Sequence, residues 1–417
     1  MVSRIGRYPN PYVVVEMAGE IPAGSSVKLL TLESEDRAAS HAALWLPPGK
    51  RPATVATLMH PRADFLRHYL VPGLLESGVA VLTQNSRWVG NDSMLEHERV
   101  LLDVAAGMKH LRDLGFERIV AIGNSGGGSL YTFYISQAHA APGSRLTDTA
   151  AGDPCDLASA ELPTVDGVIY VAAHRGEGLF LLEAIDPSVV DESDPLACNK
   201  EIDMYEPANG FAPPPEPSSY TAEFVTAYRS AQRKRVARID ARARELTASR
   251  HSARDRAIGN ADDVQAWRQT IAVNFMTVYR TEADPRYTDP GLEPSARDYG
   301  SLFGYRPDLI NYGPFGFARL VTPEAWLSTW SGLSSRASVT AAGDGVDVPA
   351  LIVDYDADNG CFPSDAALID TSLASTDKTR ATVPGDHYGK RADGAGTDPR
   401  RGVVEQIHGW LDERSWL

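Results

Sequence analysis

Apolar residues come early in the chain as short runs broken by Gly, Pro and Ser, and residues 12–15, 27–32 and 42–46 read as strands. Two periods then alternate. Residues 53–59 and 79–83 have the dense aliphatic pattern of buried strands, and residues 65–76 between them read as a helix. In residues 95–114, Leu95, Val100, Leu101, Val104, Met108 and Leu111 recur at the spacing that lines one helix face. Residues 118–122 form another apolar run, a helix-like stretch covers 129–138, and residues 167–173 are strand-like again. Strand and helix alternating in this way predict a mostly parallel sheet covered by helices on both faces.

The rhythm breaks after residue 173. Up to residue 342 strand-like runs are few and helical ones several. Pro213-Pro214-Pro215-Glu216-Pro217 is a stiff extended connector. Residues 221–246 predict a long helix, with Phe224, Val225, Tyr228, Val236 and Ile239 on its buried side and a solvated Arg/Lys face. Residues 263–279 predict a second helix, and Pro, Gly and Tyr fill residues 284–317. Strand signals return at 350–355 and 379–383, and residues 406–411 belong to a closing helix. The expected organisation is a first α/β part (1–173), a mainly helical insertion (174–342) and a second α/β part (343–417).

Composition narrows the function classes. A chain of 417 residues, 43% apolar and 23% charged, has the make-up of a soluble globular protein with a large core. Its formal net charge of −15 argues against nucleic acid and anionic membranes as partners. Cys155, Cys198 and Cys361 are distant and odd in number, so no disulfide framework is expected. The first seven residues lack the apolar core of a signal peptide, and no apolar run approaches membrane-spanning length. A cytoplasmic location is the expectation. Oligomeric state is not legible, a homodimer included.

The chemistry concentrates where the run Arg118-Ile119-Val120-Ala121-Ile122 ends in Gly123-Asn124-Ser125-Gly126-Gly127 and a helix-like segment follows. This is the G-x-S-x-G pattern of a nucleophile elbow: a serine hydroxyl at the tip of a tight strand-to-helix turn, flanked by glycines because the turn leaves no room for side chains. The Gly126 amide, at the start of the helix, is placed to serve as one oxyanion donor. A serine needs a base, and the base an orienting acid. After the strand at 350–355 come Asp354, Asp356 and Asp358; Asp358, in the loop beyond the strand, is the preferred acid and Asp356 the fallback. His387, in Pro384-Gly385-Asp386-His387-Tyr388-Gly389 after the last strand, is the base candidate. His110, His139 and His408 fall in helical segments, and His174 ends a strand that could face the site.

With His60-Pro61 after the 53–59 strand, these motifs resemble the α/β-hydrolase superfamily, in which many members have His-Gly at that turn. Ser125, Asp358 and His387 follow its Ser…acid…His order. The resemblance spans nearly the whole chain outside the insertion. It implies an α/β-hydrolase fold: a mostly parallel eight-stranded sheet flanked by helices, with a large helical cap inserted after the sixth strand. It implies no cofactor, and a second oxyanion donor at the Arg62 amide, with Ala63 as a neighbouring choice; no metal is expected, since the carboxylates and Asn-Gly turn of residues 203–210 have no recognised ligand spacing.

The implied activity is hydrolysis of a carboxylic ester, bulky or a lactone, by Ser-His-Asp acyl-enzyme chemistry. Amide or carbon–carbon bond cleavage and acyl transfer would use the same triad, and a non-catalytic binding module is the alternative from another class. Trp88, after the 79–83 strand, and His60 are candidate pocket residues. The aromatics of the insertion, among them Phe303, Phe315, Phe317 and Trp330, would suit an apolar substrate.

Overall fold

The computed structural model describes residue 17 and residues 19–314, 316–390 and 398–417. The strand expected at 12–15, and Phe315, lie outside the described residues. An eight-stranded sheet runs in the order β1(Ser26–Glu33), β2(Ala39–Leu46), β4(Ala80–Asn85), β3(Thr54–His60), β5(Arg118–Asn124), β6(Gly167–Val171), β9(Ala350–Tyr355), β10(Lys378–Val383). β2 is antiparallel to both β1 and β4, and every other pairing is parallel.

The period of two sorts the strand residues between two apolar layers. Val55, Ile119, Ala121, Ala350 and Ile352 face a cluster that includes side chains of α2(His97–Asp113), α3(Gly126–His139) and α10(Pro363–Ser372). Ala56, Leu58, Val120, Ile122, Leu351 and Val353 face the opposite cluster, which takes in α1(Val71–Glu76) and α11(Pro399–Asp412). Strands buried on both faces must be apolar throughout, which is why β3 and β5 read as unbroken runs.

Between β6 and β9 the chain forms α4(Glu177–Ala184), α5(Ala222–Gly259), α6(Val264–Ile271), a two-residue pair β7(Met276–Thr277) with β8(Leu320–Val321), and the short α7(Pro307–Ile310), α8(Pro323–Ala325) and α9(Val339–Ala342). Its core gathers Leu181, Leu182, Val236, Ile239, Ala243, Trp326 and Trp330. The Thr221 side chain accepts from the Phe224 amide and caps α5.

Three helix expectations are corrected. α5 runs on to Gly259, because Ala253 and Ala257 are buried and small contacts leave no strong periodic mark. The helix expected over 263–279 stops at Ile271; its last residues are extended, Met276 pairing with Val321. The helix expected over 65–76 begins only at Val71, since Asn85 and Asp64 side chains hold the Phe65 and Leu66 amides in a loop. Among the described residues, no helix is long and apolar enough to cross a membrane.

Candidate active site

The carboxyl ends of the parallel strands bring the site together, as open α/β sheets do at such an edge. Ser125 follows central β5 with φ 55° and ψ −124°, a positive-φ backbone conformation that costs an L-residue energy. It is held there by the Ser125 amide donating to Val171 O at 3.1 Å and by Gly128 N donating to Ser125 O at 3.1 Å. The glycines are steric necessities: a Cβ on Gly123 would stand 2.5 Å from Gly128 Cα, and one on Gly127 2.5 Å from Met59 O.

Four residues beyond β10, His387 places Nε2 3.1 Å from Ser125 Oγ and Nδ1 2.8 Å from Asp358 Oδ2. A carboxylate only accepts, so the Nδ1 proton lies between His387 and Asp358 and Nε2 is left to accept from the serine hydroxyl. Asp358 is fixed in turn by the Gly360 and Cys361 amides, which donate to its Oδ1 at 2.7 and 2.8 Å. Asp356 accepts from the Gly385 amide at 3.0 Å, bracing the loop that carries His387. Asp354 pairs with Arg380 at 3.6 Å on the sheet edge. Burial opposes charge on His387, but Asp358 outweighs it and the imidazole's pKa lies above its ordinary value.

Only β2 runs against the other strands of the sheet, and a strained serine sits in the turn between central β5 and α3. The chain has the α/β-hydrolase fold. Similar solved structures include the esterase domain of a Rhodothermus marinus protein (13% identity, 93% of this chain and 98% of that one, TM-score 0.44). Est1E from Butyrivibrio proteoclasticus (11%, 93% and 98%, 0.44) and the alpha/beta hydrolase GrgF from Penicillium sp. sh18 (12%, 94% and 99%, 0.46) are others. No family model and no curated protein matches the sequence.

Within this hydrolase fold the loop after β3 departs from the expectation. The amides of Arg62 and Ala63 both donate to His60 Nδ1, at 3.2 and 3.1 Å, so the two backbone donors proposed for an oxyanion are committed to the imidazole. The Gly126 amide stands in the first turn of α3, where the helix offers it no carbonyl. The turn after β4, pinned by Arg87 donating to Asp103, packs Trp88 against the core layer of α2 and α3, and Trp88 is not among the residues lining the cavity beside Ser125.

A cavity of about 40 Å³ adjoins Ser125, lined by residues that include His60, Arg62, His174, Glu177, Phe180, Leu302, Phe317 and Tyr388. It has room for a few waters and is far below the ~300 Å³ of a small-molecule pocket. A cavity of about 790 Å³ between α1 and α11 touches none of Ser125, His387 or Asp358.

Sequence reasoning missed Glu177. An acid in the first turn of an apolar helix reads as a solvated partner of the helix dipole, yet Glu177 is buried and lines the cavity. Its Oε1 makes no hydrogen bond; Arg62 Nε is 3.7 Å away and His60 Nε2 3.8 Å. Burial raises its pKa, Arg62 draws it down and Asp92 adds to the rise. Arg62 itself lies over the Phe317 ring, 4.6 Å from its centre.

One group among the described residues has the spacing to hold a metal ion: Asp358, Cys361 and His387. Its atoms have internal partners, since the Cys361 thiol donates to Ala172 O at 3.1 Å and Asp358 is bonded as above. Burial also pushes the thiol well above its ordinary pKa, away from the thiolate a metal would need. The donor set fits a hydrogen-bonded triad better than a metal centre.

Proposed function

We propose that the protein is a serine hydrolase that cleaves carboxylic esters, with Ser125 as nucleophile, His387 as base and then acid, and Asp358 orienting His387. The observation that carries this reading is the unbroken line from Ser125 Oγ to His387 Nε2 at 3.1 Å and from His387 Nδ1 to Asp358 Oδ2 at 2.8 Å. Ser125 Oγ attacks the ester carbon while His387 takes its proton, and the carbonyl electron pair moves onto oxygen. Asp358 stabilises the imidazolium. The Gly126 amide donates to the oxyanion, a contact of a kind worth ~3 kcal/mol in the transition state. Collapse expels the alcohol, protonated by His387; a water deprotonated by His387 then attacks the acyl carbon and frees Ser125.

The aromatic walls Phe65, Phe180 and Phe317 favour an apolar acyl or alcohol group, as in a bulky ester or lactone. The insertion that carries Phe180, Leu302 and Phe317 acts in this reading as a cap. Hydrolysis of p-nitrophenyl esters from acetate to dodecanoate is the test. Ser125→Ala is expected to lose about 10⁴-fold or more in kcat, and a fluorophosphonate should label wild type but not the variant. Wild-type turnover by Ser125→Ala would overturn the reading.

A further inference from the structure

The committed amides of Arg62 and Ala63 leave the oxyanion opposite Ser125 one evident backbone donor, the Gly126 amide. We infer that the second donor is a side chain, His60 Nε2–H. This rests on the serine hydrolase reading and goes beyond it by giving His60 a part in the chemistry.

The tautomer follows from the hydrogen bonds. His60 Nδ1 accepts from Arg62 N at 3.2 Å and from Ala63 N at 3.1 Å, so it carries no proton and the neutral ring is protonated at Nε2. Burial, with Arg62 and His174 adding to it, holds the ring neutral, its pKa well below the ordinary value. The Nε2–H has no hydrogen-bond partner among the described residues; its nearest charged neighbour is Glu177 Oε1, too far at 3.8 Å. It is a buried donor that is unused in the resting site.

Its position is the decisive point. A Cβ built on Gly126 would lie 2.4 Å from Glu177 Oε1 and 2.9 Å from His60 Nε2, so this nitrogen stands, with the Glu177 carboxyl, beside the residue whose amide is the other donor. His60 lines the cavity that contains Ser125. The ring cannot turn away, because the two amides hold one edge and Phe65 packs beside it with ring centroids 5.2 Å apart. A fixed donor in the cavity beside Ser125 and Gly126 would need no reorganisation as charge develops there, and that is the source of oxyanion stabilisation. Glu177, the one carboxyl at this place, would oppose the oxyanion if ionised, and its burial favours the neutral form.

The test separates the two ring nitrogens. In His60→Asn the Oδ1 can still accept the Arg62 and Ala63 amides, while the Nε2–H is gone. With ester substrate, kcat should fall by about 10²–10³ with KM nearly unchanged. His60→Gln and His60→Met both lose the Nδ1 acceptor and are alike in length, but only Gln offers an N–H near the former Nε2. His60→Gln should exceed His60→Met in kcat by at least about tenfold, a contrast that survives any shared loss of stability. Equal kcat in that pair, or a wild-type kcat in His60→Asn, would overturn the inference. Turnover surviving in Ser125→Ala would instead overturn the hydrolase reading on which it rests.

Discussion

Asp354, Asp356 and Asp358 stand within five residues, and only Asp358 meets the imidazole, at 2.8 Å. Strand alternation and the loop beyond it explain the difference: Asp354 points to the sheet edge and Asp356 to the Gly385 amide. Asp358→Asn is therefore expected to lower kcat by about 10⁴, as loss of the orienting acid does in other triads. Asp356→Asn should cost less than tenfold, and parallel kinetics on the two variants would check the assignment. The same ion pair predicts a pH effect. His387 must be neutral to act as base, and its pKa is raised. Activity should thus fall as pH drops through a value above the ordinary ~6.5 of histidine. Removing the Asp358 charge should move that acid limb downward, which a pH profile of kcat/KM for wild type and Asp358→Asn would reveal.

At the scale of elements, the elbow depends on two chains of backbone passing at contact distance. A methyl group on Gly127 would strike Met59 O, the strand β3 backbone, at 2.5 Å. Gly127→Ala should destabilise the fold by about 1–3 kcal/mol through overpacking and depress activity by displacing Ser125, readable by thermal melting beside ester hydrolysis. This element was legible in the sequence because its chemistry is local: a buried strand, a glycine turn and a helix follow one another. β9 was legible for the same reason, its apolar run following Pro349, and β10 by its Thr and Val residues ahead of Gly385. The loop after β3 was not. Whether Arg62 N faces substrate or His60 depends on the imidazole's orientation, which no local pattern encodes. Glu177 was equally hidden, because its burial comes from residues far away in sequence, His60 and Arg62 among them.

Across the whole molecule, the chain between β6 and β9 is locked to the Asp358 loop by buried charge. Arg286 reaches Asp284 at 2.6 Å, Glu183 at 2.5 Å and Glu293 at 3.1 Å. Glu293 accepts from the Ser364 backbone amide at 2.6 Å, Arg175 joins Glu183 to Asp365, and Asn359 Nδ2 donates to Ser301 O at 2.9 Å. Removing Arg286 takes one cation from a network in which Arg229 still reaches Asp284 at 2.8 Å and Arg175 still reaches Glu183 at 2.7 Å, so buried Asp284 is left only partly compensated. Arg286→Met is expected to lose stability, by less than the ~3–5 kcal/mol of a buried charge left with no partner, and to raise hydrogen exchange in residues 284–303 before the sheet is affected. Unchanged exchange there would mean that the network does not hold this segment down.

The 40 Å³ beside Ser125 gives that lock its meaning. If esters react there as proposed, a site with so little room would be a turnstile as well as a reaction vessel. Two esters of equal intrinsic reactivity would be sorted before any bond is made, by how far each obliges Leu302 and Phe317 to retreat. Discrimination of this kind would reside in the rate of admission, with chemistry acting only on what has already been let through.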